Sequence, residues 1–195
     1  RLVYHPKIDN IQYHFGAAVV YQDLGDYNSL RFRDRPELRI DPAIRLIDTG
    51  TLNNVDNLIT TGLEFAAING AWSFEAEALS VNTSSAVQDL SFSGYHMQAS
   101  YVITGESRSY KNGSFSGIKP SSAKGAIEVA ARYSVTDLND GVVMGGEQKN
   151  LTVGVNYYLS SNIRFMSNIV YTDVDTASGI NEEPIGFGVR AQYHF

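Results

Sequence analysis

The sequence predicts an all-β protein, an antiparallel transmembrane β-barrel, from three observations. Apolar and polar residues alternate with a period of two along almost the whole chain, as they do in β-strands. The alternating segments are about 10 to 14 residues long, about twice the average strand of a soluble protein. Short and long connections alternate between them, which is typical of membrane barrels. No useful helix and no second domain are indicated, so residues 1–195 are predicted to form one domain.

About nine strands are predicted from this periodicity. They start near Ile11, Asn28, Val55, Ala71, Asp89, Lys124, Glu147, Asn162 and Pro184. Nine is an odd number, whereas bacterial single-chain barrels have even numbers, and a barrel of about sixteen strands needs well over about 300 residues. We therefore expect the chain to be the C-terminal part of a barrel of about sixteen strands, with a signal peptide and about seven strands encoded upstream of Arg1.

A soluble β-sandwich also alternates, with its apolar face inward, so the composition of the two faces has to decide. The polar face carries Gly, Gln, Asn, Arg, Glu and His, which suits a water-filled lumen. The apolar face carries aromatic residues near its ends, among them Tyr133, Tyr193 and Phe195, as an aromatic girdle does. The sequence has no cysteine, which excludes disulfides, zinc–thiolate sites and cysteine nucleophiles. The two faces therefore favour the membrane barrel.

The most informative segment reads SLRFRDRPELRI, at residues 29–40. Five of the ten arginines, Arg31, Arg33, Arg35, Arg39 and Arg45, lie within fifteen residues of a chain whose net charge is −6. In a strand the first four point to one face, and consecutive ones are ~6.6 Å apart. Leu30, Phe32, Leu38 and Ile40 on the other face are compatible with lipid, so the arginines are predicted to face the lumen.

Arginine suits contact with an anion because its planar guanidinium holds two oxygens of an anionic group bidentately and stays charged. The alternative is that lumenal arginines merely pair with carboxylates, and we favour that alternative for Arg132, Arg164 and Arg190. The available partners are Glu37, Glu64, Glu75, Glu77 and Glu128. Asp34 does not fit the scheme, because it falls on the predicted lipid-facing side, where a carboxylate is costly.

Several stretches, in order along residues 30–195, resemble the phosphate-selective porin family, the porins O and P. They are RFRDRPELR at 31–39, RLIDTG at 45–50, QASYVITGESRSY at 98–110, GIKP at 117–120, GAIEVAARYSVTDLND at 125–140, GGEQKNLTVGVNYYL at 145–159 and NIRFMSNIVY at 162–171.

This resemblance implies an outer-membrane barrel of a Gram-negative bacterium that assembles as a homotrimer and whose pore prefers anions, phosphate or polyphosphate in characterised members. The family's pore carries a ladder of arginines. Arg31, Arg33, Arg35 and Arg39 match alternate arginines of that ladder, and Arg45 extends it from the following loop. The resemblance also implies contact with the lipid bilayer and lipopolysaccharide. The barrel-assembly machinery is expected to recognise the C-terminal Phe195.

Two other functions stay open: a general porin without phosphate preference, and a non-conducting structural or adhesive barrel. An enzymatic barrel would need a Ser–His or Asp–His constellation, and no spacing singles one out. The four histidines show no metal-ligand spacing either. We expect no catalytic site, no metal, no cofactor and, for this acidic chain, no nucleic-acid partner.

The connection at residues 105–123 is long where a short turn is expected. It lies on the side where the C-terminal strand ends, which is the periplasmic side of such barrels. It is rich in Ser, Gly and Lys, and Arg108, Lys111, Lys119 and Lys124 are in or next to it. Two interpretations stay open: the segment folds toward the mouth of the lumen and gathers or releases anions, or it is a mobile, solvated turn.

Overall fold

The computed structural model describes residues 1–38, 43–111, 113–176 and 181–195, and these form an all-β structure with no helix. No helix among the described residues has the length and hydropathy to cross a membrane. The strands are β1 (Leu2–Tyr4), β2 (Lys7–Ile8), β3 (Ile11–Asp23), β4 (Ser29–Leu30), β5 (Arg33–Asp34), β6 (Ile47–Asp48), β7 (Leu52–Asn53), β8 (Val55–Asn69), β9 (Trp72–Ser85), β10 (Leu90–Val102), β11 (Tyr110–Lys111), β12 (Ser114–Phe115), β13 (Ala126–Asp140), β14 (Val143–Tyr158), β15 (Ile163–Asp175), β16 (Asn181–Glu182) and β17 (Ile185–Tyr193).

Eight long strands of the described residues, β3, β8, β9, β10, β13, β14, β15 and β17, build one antiparallel sheet in sequence order. The short strands β1 and β2 pair with β3 at one edge, and β16 and β17 pair with β15 at the other. Strands that follow one another in sequence pair with each other, and either a tight turn or a longer connection joins them. The sequence predicted both kinds of connection. The all-β, antiparallel part of the fold prediction is confirmed.

The two faces of the sheet differ in polarity and in cover. On the outer face, large apolar side chains stand exposed, and they include Leu63, Phe74, Val153, Phe187 and Val189. The inner face carries polar residues and is covered by the described parts of two long connections, residues 24–38, 43–54, 103–111 and 113–125. A sheet with its apolar face outward is what a lipid-facing wall requires, and a soluble sandwich would bury that face instead.

The predicted strand near Asn28 is wrong. Residues 29–34 pair instead with residues 46–53, through β4–β7 and β5–β6, as a narrow ribbon on the inner face. Hydrogen bonds from the Thr49 N–H to the Phe32 carbonyl (2.9 Å) and from the Leu46 N–H to the Asp34 carbonyl (3.2 Å) hold this ribbon. Pro36 lacks the N–H that continued pairing would need. The nine predicted strands therefore reduce to eight long ones in the described residues.

The apolar residues of the ribbon were predicted to face lipid, and this is also wrong for those described. Leu30 and Phe32 pack into an apolar cluster on the inner face, and the Phe32 and Phe92 rings lie 5.3 Å apart. The buried members of that cluster are Ile47, Leu52, Val55, Leu90, Phe92, Leu138 and Val174. Ile40 lies outside the described residues. Burial of these side chains, rather than lipid contact, explains their alternation with arginines.

A tight hairpin turn joins strands β13 and β14. Strands β13 and β14 continue to Asp140 and from Val143, and only Gly141 and Val142 separate them. Gly141 has a positive φ of 56°, which suits a tight hairpin turn. A register shift between Asp137 and Asn139 marks a local irregularity in the pairing of the two strands.

Candidate functional site

The arginine segment, residues 29–38, lies against the inner face of strands β13 and β14. The carboxylate of Glu37 accepts hydrogen bonds from Arg132 Nε (3.0 Å) and Ser134 Oγ (2.7 Å) through its Oε1 atom. Three residues before Glu37, Asp34 Oδ2 accepts a hydrogen bond from Thr136 Oγ1 (3.2 Å). These contacts explain why a carboxylate occupies position 34: it faces hydroxyl groups of the inner face, not lipid.

Three of the predicted arginines form one group. Arg33 is exposed, Arg35 and Arg45 are half-buried, and the three are close enough for their charges to interact. Partial burial, followed by the positive charges of Arg35 and Arg33, lowers the pKa of Arg45 below its usual value. Arginine nevertheless stays charged at neutral pH, so the group concentrates three positive charges on the inner face.

Arg31 differs from these three because a carboxylate compensates its charge. Its Nε and Nη2 atoms donate to the two oxygens of Asp48 at 2.6 and 2.5 Å, which is a bidentate pair. The hydrogen bonds from Arg31, aided by the Gly50 N–H, hold the pKa of Asp48 below its usual value. The pair links β4 and β6 ends of the ribbon, so Arg31 contributes to the ribbon's shape.

Among the described residues, then, the structure brings together Arg33, Arg35 and Arg45 and pairs Arg31 with Asp48. Arg39 lies outside the described residues. The regular ladder along one strand, predicted from the spacing, does not occur because this segment is not a long strand. Sequence reasoning missed the anchoring role of Asp34. The one signal was that its carboxylate stood on the side assigned to lipid.

Of the single arginines on the wall, Arg132 pairs with the carboxylate of Glu37, as the pairing alternative predicts. Arg164 instead donates to the neutral Oε1 of Gln192 at 2.8 and 3.1 Å. Another predicted partner, Glu64, accepts from Arg1 Nε at 2.9 Å and lies 3.0 Å from His14 Nε2. No group of three or more metal-ligating side chains occurs in the described ranges.

The second inward segment, residues 103–125, is packed against the sheet. Arg108 donates to the fully buried Glu128, which also accepts from Tyr158 OH (2.8 Å) and Asn156 Nδ2 (2.9 Å). Ile118 packs in an apolar cluster with Val102, Ala126 and Tyr158. Of the two interpretations of 105–123, these contacts favour the inward-folded segment over the mobile turn.

Further contacts hold the start and tip of this segment. Glu106 accepts hydrogen bonds from Thr104 Oγ1 and from the N–H (3.0 Å) and Oγ (2.7 Å) of Ser121. These bonds lower the pKa of Glu106 to about 2. At the tip, Tyr110 OH lies 2.5 Å from His14 Nδ1 on β3. The segment is thus attached to both halves of the sheet.

An antiparallel sheet that is apolar outside and polar inside, with arginines on an inward-folded connection, has the features of a membrane-channel wall. The chain matches the family described as phosphate-selective porin O and P over residues 1–195, and it belongs to that family. This is a family of channels. The resemblance inferred from the sequence is therefore confirmed.

Two curated relatives match the chain. The chain is 31% identical to an uncharacterised protein of Caulobacter vibrioides over 187 residues, which are 91% of this chain and 37% of that protein. It is also 31% identical to porin O of Pseudomonas aeruginosa over 151 residues, 69% of this chain and 34% of that protein. The chain thus spans about a third of the length of the curated relatives it matches.

Proposed function

We propose that this chain forms part of the wall of a longer barrel in the outer membrane of a Gram-negative bacterium, and that the barrel conducts anions with a preference for phosphate or polyphosphate. The observation that carries the proposal is the arginine group on the inner face of a chain from this family. Arg33, Arg35 and Arg45 are the proposed anion contacts. Arg31, with its charge reduced by Asp48, and Arg39 complete the proposed set.

The physical case rests on charge density and geometry. Several guanidinium groups within interaction distance lower the energy of an oxyanion over a wide region, so no single site holds it tightly. Conduction requires this balance, because binding must be strong enough for entry and weak enough for exit. Arg33 and Arg35 have no ion-pair partner among the described residues, so their charges remain available to an anion.

The wider assembly follows from the same proposal. The exposed apolar outer face would contact lipid, and its upper rim lipopolysaccharide, while two further copies would complete a homotrimer. Phe195 continues the outer face of β17 and is fully exposed, so it is available to the barrel-assembly machinery. These partners are proposed for the full-length protein.

The test is a planar-bilayer recording of the full-length protein under a KCl gradient, with phosphate added as a blocker of the chloride current. We expect an anion-selective reversal potential and block by phosphate. Replacing both Arg33 and Arg35 by Ala should raise the half-blocking phosphate concentration about tenfold, as loss of charge-assisted hydrogen bonds predicts. Replacement by Lys should preserve chloride passage but weaken phosphate block, because Lys lacks the bidentate geometry.

Arg164→Ala is the matched control, since Arg164 also lies on the inner face but is bonded to Gln192, remote from the arginine segment. Cation preference in the wild type would overturn the channel proposal. Anion preference without phosphate block would favour a general porin, and absence of conductance a structural or adhesive barrel. If Arg164→Ala and the double Ala change weaken phosphate block equally, the assignment of Arg33 and Arg35 as anion contacts is wrong.

A further inference from the structure

We infer that Glu37 is a positioning residue: it anchors the arginine segment to the wall through a relay of buried polar side chains, and this anchoring sets how tightly the pore binds an oxyanion. The inference rests on the proposed function, because it concerns the same arginines. Glu37 itself carries the wrong charge to bind an anion. Its contribution therefore has to come through the position of its neighbours.

The relay crosses three strands. Ser134 on β13, Asn150 on β14 and Thr172 on β15 are direct cross-strand partners on the inner face. Thr172 Oγ1 donates to Asn150 Oδ1 (2.8 Å), Asn150 Nδ2 donates to Ser134 Oγ (3.2 Å), and Ser134 Oγ donates to Glu37 Oε1 (2.7 Å). All donors therefore point toward one acceptor, the carboxylate of Glu37.

This relay is buried, although the inner face of a channel wall is otherwise suited to water. Ser134, Asn150 and Thr172 are 8%, 4% and 5% exposed. Buried polar groups are stable only when they are hydrogen-bonded, and a network with a missing member loses more than one bond. The Arg132 pair adds a charge-assisted contact to the same Oε1 atom. Glu37 therefore connects the arginine segment to the buried hydrogen-bond network of the wall.

Two glycines on β17 form a notch that holds the side chain of Leu38, the residue after Glu37. Gly186 and Gly188 on the inner face of β17 lie beneath Leu38, and a Cβ atom at either position would come within 2.7 and 2.8 Å of the Leu38 methyl groups. Two glycines two positions apart thus provide the space for one side chain. Next to the relay on β14, on the side away from the notch, lies Gln148, whose Nε2 donates to the Arg35 carbonyl (3.2 Å).

These three contacts determine where the arginines lie. Glu37 and Leu38 lie two to five residues after Arg33 and Arg35 in the same short segment, so freedom at residues 37 and 38 becomes freedom of both guanidinium groups. A binding group that must be ordered on each encounter loses affinity, whereas a preorganised one does not. Anchoring therefore predicts tighter oxyanion binding than a loose loop of equal charge would give.

Loss of the charge of Glu37 and loss of its anchoring role should change phosphate binding in opposite directions, so variants can distinguish the two effects. Removing the negative charge of Glu37 should by itself tighten phosphate binding. Removing the anchor should weaken it. Glu37→Ala loses both, whereas Glu37→Gln loses the same charge but keeps an oxygen that accepts from Ser134 and Arg132. We expect Glu37→Ala to raise the half-blocking phosphate concentration about tenfold and Glu37→Gln to leave it at or below the wild-type value.

Glu77→Gln is the charge control. Glu77 lines the same cavity of about 190 Å³ as Glu37 but belongs to β9 and lies 4.0 Å from His96. Like Glu37→Gln, it should bind phosphate no more weakly than the wild type. If Glu37→Ala and Glu37→Gln shift phosphate block equally, the carboxylate acts through charge alone and the anchoring inference is wrong.

The notch gives a second, independent variant. The double change Gly186→Ala and Gly188→Ala should displace Leu38 and raise the half-blocking concentration severalfold. Gly16→Ala is the matched control, because its Cβ would meet the Glu64 side chain at 2.9 Å on the inner face of β3, which β8, β9 and β10 separate from β13. Equal behaviour of the notch variant and this control would overturn the role of the notch.

A readout that needs no phosphate separates this inference from the proposed function. Hydrogen–deuterium exchange of peptides within residues 29–38 should be faster in Glu37→Ala than in Glu37→Gln, with heat-modifiable electrophoretic mobility showing that both variants are folded. Unchanged exchange in Glu37→Ala overturns the anchoring. If exchange rises but phosphate never blocks the wild type, the anchoring holds and the oxyanion role fails with the proposed function.

Discussion

Both inward segments place cationic side chains on the inner face. The two segments differ in whether a carboxylate neutralises those charges. In the second segment, Arg108 donates to a buried carboxylate, Glu128, which three side chains satisfy. In the arginine segment, the carboxylates Asp34 and Glu37 bond to the wall, while Arg33 and Arg35 form no salt bridge among the described residues. Compensated charges hold a segment in place, and uncompensated charges are available to a ligand.

The largest expected effect breaks the compensated pair. Replacing Arg108 by Met should leave the buried Glu128 without its cation, which costs about 3 kcal/mol and corresponds to an open population about a hundredfold larger. Trypsin cleavage after Lys111 and Lys124 should accelerate to a similar extent, since cleavage follows the open population when opening is fast.

Arg190→Met is the control for this change, because Arg190 is exposed on the inner face of β17. Its effect should stay within about 0.5 kcal/mol, as for most exposed positions. An equal rise in cleavage for both variants would contradict the role assigned to the Arg108–Glu128 pair.

The long strands could be predicted because period-two alternation is a local signal, and each wall strand shows it. The arginine segment shows the same alternation for another reason: Leu30 and Phe32 alternate because they enter the inner apolar cluster. What separates the two cases is non-local. The partners of Asp34 and Glu37 lie 95 to 102 residues away in the sequence, and no local pattern identifies them.

Two local signals did point to the correct fold of this segment. Pro36 is unfavourable in a central strand, and Asp34 is unfavourable toward lipid. The arginines themselves were recognisable as a group from their spacing. Their arrangement was not, because it depends on the ribbon with residues 46–53 and on the relay that receives Glu37.

An intermediate effect concerns pH and the second segment. The pKa of Glu106 is lowered to about 2 from 4.5 by its bonds with Thr104 and Ser121. A depressed carboxyl pKa stabilises the folded segment above the unfolded value, and this contribution is lost as the pH falls from about 4.5 toward about 2. Opening of the segment should therefore increase about tenfold between pH 6 and pH 3.

Hydrogen–deuterium exchange of peptides within residues 113–121, corrected for its intrinsic pH dependence, measures this opening. Glu106→Gln should exchange faster than the wild type at pH 6 and respond less to acid, since it has no carboxyl group at that position to protonate. The same acid response in wild type and Glu106→Gln would show that another group controls the segment.

The smallest expected effect tests the arginine segment from the opposite direction, by removing compensation. Asp48→Asn leaves Arg31 without its carboxylate and adds one net positive charge near Arg33, so phosphate should block about two- to threefold more tightly at moderate salt. The Asn oxygen can still accept a hydrogen bond from the Gly50 N–H, whose nitrogen lies 2.9 Å from Asp48 Oδ1 in the wild type.

Asp23→Asn is the matched control for this change. Asp23 Oδ1 accepts the Gly25 N–H at the same 2.9 Å, but Asp23 has no arginine partner among the described residues. Tighter block in Asp48→Asn alone would show that compensation limits the attraction of this site. Weaker block would show that the Arg31–Asp48 pair shapes the ribbon more than it shields its charge, and would place Arg31 with Arg108 among the structural cations.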